Sequence, residues 1–227
     1  MIPLRDSTRS RSFPIITVLL IIVNLYIYFQ QGAMTLVQED RFLHQYALVP
    51  VFLTERLQSS FWSAVLYPPL VTSLFLHGGW FHVIFNMLYL WIFGDNIEDR
   101  LGRGRFLVFY LLCGIIANLS HVLIDPLSPV PLVGASGAIA GVLGAYIITF
   151  PRSRITSLLV IFIFITIRDI PAVYFLLFWF ILQLFNGLTS IGLMSNSVAW
   201  WAHIGGFLSG MILMLIMKKK NRWDTYP

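Results

Sequence analysis

An all-α, polytopic membrane protein built from six transmembrane helices is the fold class this sequence predicts, and three observations lead to it. Of the 227 residues, 58% are hydrophobic and only 11% charged, with a mean hydropathy of +0.80, far from the composition of a soluble domain. The apolar residues gather into runs near the ~20 residues with which a helix crosses a bilayer. The basic residues stand at the ends of those runs and form no single patch, so the net charge of +5 reads as a topology signal and not as a nucleic-acid surface.

Taken in order, residues 1–13 carry Arg5, Arg9 and Arg11 and are expected to be a cytoplasmic N-terminus. The run 14–29 exceeds a signal-peptide core of about 7–15 residues and reads as an uncleaved span. Residues 30–70 form a long outer loop with apolar patches at Leu48 to Leu53 and Phe61 to Leu66, suited to the membrane interface. Further runs at 71–94, 106–124, 132–150, 155–167, 172–190 and 198–217 bring the candidates to seven. The run 155–167, ITSLLVIFIFITI, holds only 13 residues before Arg168 and Asp169, short for a span. An interfacial or buried segment is expected there instead.

Charge decides the count. With six spans, all of the 15 Lys and Arg residues except Arg41 and Arg56 fall on one side, and both termini are cytoplasmic. A seventh crossing at 155–167 would carry Arg168 and the cluster Lys218, Lys219, Lys220 and Arg222 to the outer side. The expected organisation is therefore one membrane domain over 14–217 and a basic cytoplasmic tail over 218–227. The lone cysteine, Cys113, has no partner for a disulfide and reads as a core residue.

Polar groups in hydrocarbon are costly, so each one within a span is a candidate for function. Asn24, His77, His82, Asn86, Asn118, His121, Ser136 and His203 stand out, with a scatter of Thr, Ser and Gln. For any one alone, an interhelical hydrogen bond of about 0.6 kcal/mol is the plainer role. Depth singles out a subset. In the six-span arrangement Ser136 and His203 each lie a turn or so below the outer end of their spans, about 6 and 7 Å at the helical rise. A nucleophile and a base at matching depth can meet.

Small residues would allow it. Gly137 and Gly141 are four apart on one span and Gly206 and Gly210 four apart on the other, the spacing that lets helix backbones pack closely. His82 and Asn86, also four apart, share a helix face and are donors of the kind that hold an oxyanion. A soluble-type nucleophile elbow, G-x-S-x-G, does not fit, because Gly137 follows Ser136 directly. Asp95, Glu98, Asp99, Asp125 and Asp169 all fall at loops or span ends, which leaves a two-residue serine and histidine arrangement. The histidines at 44, 77, 82, 121 and 203 show no metal spacing, so neither a metal nor a cofactor is expected.

Four motifs now stand in order: HGGWFHVIFN at 77–86, EDRLGRG at 98–104, GASGAIAG at 134–141 and AHIGGFLSG at 202–210. Over residues 68–217 the chain resembles the rhomboid family of intramembrane serine proteases. The resemblance implies a six-helix bundle with Ser136 as nucleophile and His203 as general base. His82, Asn86 and the backbone N–H of Ser136 would form the oxyanion hole, with Gly134 beside it. It further implies a transmembrane protein as substrate, cleaved in or near its membrane helix, and a site near the outer face of a plasma or inner membrane. Where some members stack an aromatic on the histidine, this chain has Ala140. His203 must therefore be held in another way.

Two rival functions come from other classes. A non-catalytic rhomboid-like protein that binds membrane clients would lack the serine or the histidine, and both are here. A small transporter or channel would spread its polar groups through the membrane depth, whereas these gather towards one half.

Overall fold

The structure, a computed structural model, describes residues 1–59, 67–161, 164–190 and 198–218. The apolar patch at 61–66, the connection at 191–197 and the tail beyond Lys218 lie outside the described residues. Among them the chain is mostly helical: α1 (Ile15–Gly32), α2 (Leu36–Tyr46), α3 (Pro50–Ser59), α4 (Pro68–Thr72), α5 (Trp80–Leu101), α6 (Arg103–Ile124), α7 (Ser136–Thr149), α8 (Ala172–Thr189) and α9 (Trp200–Met217). Four of these, α1, α6, α8 and α9, are long and apolar enough to cross a membrane. The apolar α7 is shorter, and α5 ends in the charged stretch Asp95 to Arg100.

Helix α7 is the centre of the bundle. Every residue from Gly137 to Ile147 is buried, against α9, α6, α5 and α8. The closeness of α7 and α9 follows from Gly206 and Gly210 of α9 and from Gly144 of α7, where a Cβ would stand 2.0 Å from the carbonyl oxygen of Phe207, whereas Gly137 and Gly141 face Ala117 and Cys113 of α6. A Cβ on Gly206 would stand 2.1 Å from the carbonyl oxygen of Gly137, and one on Gly210 would stand 1.9 Å from that of Gly141. No side chain fits between these backbones, so dispersion acts over a long, flat contact. Around it the core is filled by large apolar groups, among them Phe93, Phe106, Phe109, Tyr110, Tyr146, Phe175 and Phe207. Cys113 is a free, buried thiol in the same core.

The expectation of an all-α chain needs correcting at one end. Among the described residues of 155–167 there is no helix: β2 (Arg154–Ile161) and β3 (Phe164–Pro171) pair antiparallel, registered from Arg154 opposite Pro171 to Ile161 opposite Phe164. Strand β1 (Ile2–Asp6) pairs antiparallel with β2, giving the sheet order β1-β2-β3. The physical reason lies in the run's composition, since Ile, Val, Thr and Phe favour strands and a run of 13 residues bounded by charges is too short to span as a helix. Strand pairing satisfies the backbone of such a run locally.

Polar contacts tie this sheet to the bundle. The Asp6 carboxylate accepts from Asn96 Nδ2 at 3.0 Å and from the Tyr146 hydroxyl, while Ser153 Oγ lies 2.9 Å from that hydroxyl. Burial pushes the Asp6 carboxyl above its ordinary value of 3.8. Nearby, Glu98 of the EDRLGRG motif caps a helix that has no cap of its own. Its carboxylate accepts from Ile16 N at 3.0 Å, Thr17 N at 2.8 Å and Thr17 Oγ1 at 2.9 Å at the start of α1. Gly102 of the same motif, at φ 82°, turns α5 directly into α6, a backbone shape natural to glycine.

Candidate active site

The site lies at the end of the bundle away from the sheet, where several connections meet. Leu48 and Leu132 form an isolated bridge, and Gly134 N donates to Ser73 O at 2.9 Å. Ser73 is anchored in turn by Asn118 of α6, whose Nδ2 lies 3.0 Å from both Ser73 Oγ and Leu70 O. On the other side Gln31 clasps the backbone of His77, donating to its carbonyl at 3.3 Å and accepting from its N–H at 3.1 Å. These bonds fix the segment before α7 and the turn before α5. His77 itself is buried, with its ring 5.1 Å from that of His82.

Ser136 is the first residue of α7. Its backbone N–H is therefore one of the first-turn donors that have no acceptor within the helix. Its side chain meets α9: Ser136 Oγ lies 2.8 Å from His203 Nε2. The other ring nitrogen, Nδ1, lies 2.9 Å from Gln183 Oε1 of α8. Trp179 and Trp200 flank the ring, with centroids 5.9 and 6.1 Å away. Ser136 and His203 are half-buried.

Gly134 has φ 119°, a conformation that L side chains rarely adopt. Space forbids a side chain as well, because a Cβ there would stand 2.7 Å from His82 Nε2 and 3.5 Å from Asn86 Nδ2. The side chains of His82 and Asn86 thus converge on the backbone two residues before the serine. Asn86 Nδ2 is buried with no hydrogen-bond partner among the described residues, a donor pointing into the site with a bond still to make. Ser136, His203, His82, Asn86 and Gly134 are together at one end of the bundle. Gly206 and Gly210 build the seam behind them, while Gly137 and Gly141, expected in the same seam, give α6 its close approach at Ala117 and Cys113.

The Rhomboid domain family model matches residues 59–220. The chain belongs to the rhomboid family. Among relatives, this rhomboid is similar to Rhomboid protease GluP of Bacillus subtilis, at 46% identity over 34% of this chain and 14% of GluP. It is similar also to RHOMBOID-like protein 6, mitochondrial, of Arabidopsis thaliana, at 30% identity over 69% of this chain and 46% of that protein. Presenilin-associated rhomboid-like protein, mitochondrial, of Homo sapiens matches at 39% identity over 41% of this chain and 25% of its own length. The matched region spans less than half of each of these relatives. With its apolar helices, this rhomboid is an integral membrane protein.

Three residues around His203 have no counterpart in the sequence-based site. Gln183, Trp179 and Trp200 surround the ring that Ala140 does not touch as an aromatic would. Ala140 is fully buried beside Gly206, and the tight α7–α9 seam leaves no room for an aromatic there. The available signal was Gln183 itself, a strongly polar residue in the apolar run 172–190 with Trp179 one helical turn before it.

Proposed function

We propose that this chain is an intramembrane serine endopeptidase that cleaves peptide bonds in or near the transmembrane helices of other membrane proteins. The observation that carries the reading is the 2.8 Å contact between Ser136 Oγ and His203 Nε2 beside the Gly134 backbone and Asn86, within a chain of the rhomboid family. Relatives named as proteases, such as GluP, lend it support.

The chemistry follows from the atoms. Ser136 Oγ attacks the scissile carbonyl carbon as its proton passes to His203 Nε2. The oxyanion that forms is held by the Ser136 N–H, Asn86 Nδ2 and His82 Nε2. His203 gives the proton to the leaving amine, and an acyl-enzyme on Ser136 remains. Water then attacks the ester, loses its proton to His203, and the acid product leaves as Ser136 is reprotonated. Water must reach the half-buried pair for the second step, and the substrate helix must unwind locally to present a bond freed of its own hydrogen bonds.

The membrane arrangement in this reading has six spans: α1, α5, α6, α7, α8 and α9. Both termini and the sheet are cytoplasmic, Ser136 is near the outer face, and the membrane is the plasma or inner membrane. The distribution of Lys and Arg supports this orientation. The test is reconstitution with a single-span substrate. The parent should cleave, and Ser136→Ala and His203→Ala should each lose at least about 10³-fold in rate. Cleavage that survives both substitutions would overturn the reading.

A further inference from the structure

The two ends of the Gln183 amide are not interchangeable. Its Nε2 donates to the backbone carbonyl of Trp179 at 3.1 Å, a group that can only accept. The carbonyl end, Oε1, is therefore the one that meets His203 Nδ1 at 2.9 Å. Turned over, the amide would set two acceptors against each other at Trp179. Because an amide oxygen only accepts, Nδ1 must carry the ring proton. A neutral imidazole has a single N–H, so Nε2 keeps its lone pair, 2.8 Å from Ser136 Oγ.

We propose that Gln183, anchored on Trp179, is a positioning residue that selects the Nδ1–H tautomer of His203 and aims its Nε2 at Ser136. The proposal rests on the Ser136–His203 reading and names the third member of that site. Gln183 is buried at 6% exposure, so its bonds are not exchanged freely with water. No carboxylate is hydrogen-bonded to the His203 ring among the described residues, and a neutral amide occupies the place where a triad has its acid. When Nε2 takes the serine proton, Oε1 stays bonded to Nδ1–H and its dipole stabilises the imidazolium. No proton passes to Gln183. Trp179 supplies both the carbonyl that fixes the amide and a ring against the imidazole, so one turn of α8 does the orienting that Ala140 cannot.

The test combines turnover with ¹⁵N-histidine NMR on the full chain in detergent or nanodiscs. Gln183→Leu removes the acceptor, and Gln183→Glu keeps one and adds charge. For Gln183→Leu, kcat should fall about 10- to 100-fold with KM within about twofold. Gln183→Glu should recover most of that loss and move the acid limb of the kcat–pH profile to higher pH, since a carboxylate favours the charged ring. In the parent spectrum His203 should be protonated on Nδ1, and in Gln183→Leu the two tautomers should mix. A Leu variant with parental kcat, or a parent His203 protonated on Nε2, would overturn the proposal. The parent spectrum needs no variant to fold and no turnover. An active Ser136→Ala would instead remove the premise, a failure distinguishable from a wrong tautomer.

Discussion

His203 is engaged at both ring nitrogens, by Ser136 and by Gln183, and is flanked by two tryptophans. Such a ring is fixed before a substrate arrives, which is how positioned groups lower a barrier without reorganising. Asn86 is the complementary case, a buried donor with a bond left unmade. Asn86→Ala should therefore lower kcat by about 10²-fold with little change in KM or thermal stability, as read by substrate titration. A change confined to KM would place Asn86 outside the oxyanion hole. Ser136, His203, His82 and Asn86 were legible in the sequence because strongly polar residues are rare in apolar runs and their spacing fixes a shared face. Gln183 stood in such a run too, but its partner is on another helix twenty positions away. No spacing rule connects the two.

At the scale of elements, the α7–α9 seam makes the encounter of Ser136 and His203 possible. Its α9 glycines, Gly206 and Gly210, were readable from four-residue spacing, but the same spacing on α7 picked out Gly137 and Gly141, which face α6, and missed Gly144. A Cβ on Gly210 would collide with the Gly141 carbonyl at 1.9 Å, backbone that cannot turn aside. Gly210→Ala should cost about 2–3 kcal/mol of stability and reduce activity, whereas Gly104→Ala, with nothing within 4 Å of its Cβ, should change neither. Detergent-titrated unfolding distinguishes them, and equal stability in the two variants would contradict the seam. The sheet was not legible in this way. A run of β-branched residues reads alike as a short buried helix or a strand, and pairing with residues 2–6 is a contact between distant parts of the chain.

Asp6 shows what that contact costs. Its folded value is raised by burial, so it contributes stability fully below its unfolded value near 3.8 and loses it as pH rises through the folded value. Asp6→Asn keeps an acceptor for Asn96 and Tyr146 without the charge. As pH rises from the unfolded value through the raised folded value, the melting temperature of the parent should fall relative to that of the Asn variant. Parallel pH profiles for the two proteins would show that Asp6 is not held in the buried state described.

At the scale of the molecule, the two ends of the bundle do different things. One end is tied by the sheet, Asp6 and the Glu98 cap; the other gathers His82, Asn86, Gly134, Ser136 and His203 from three helices and one connection. The membrane class and the family resemblance were legible because composition and the order of four motifs are properties of the whole chain. The mixed architecture was not, because a small sheet leaves no trace in overall composition. The central claim is that Ser136 is a nucleophile activated by His203. A fluorophosphonate probe applied to the purified, lipid-reconstituted protein, with the modified residue mapped by mass spectrometry, tests it most directly. Labelling at Ser136 that is lost in His203→Ala is the expected result; labelling at another residue, or undiminished labelling without His203, would contradict the claim.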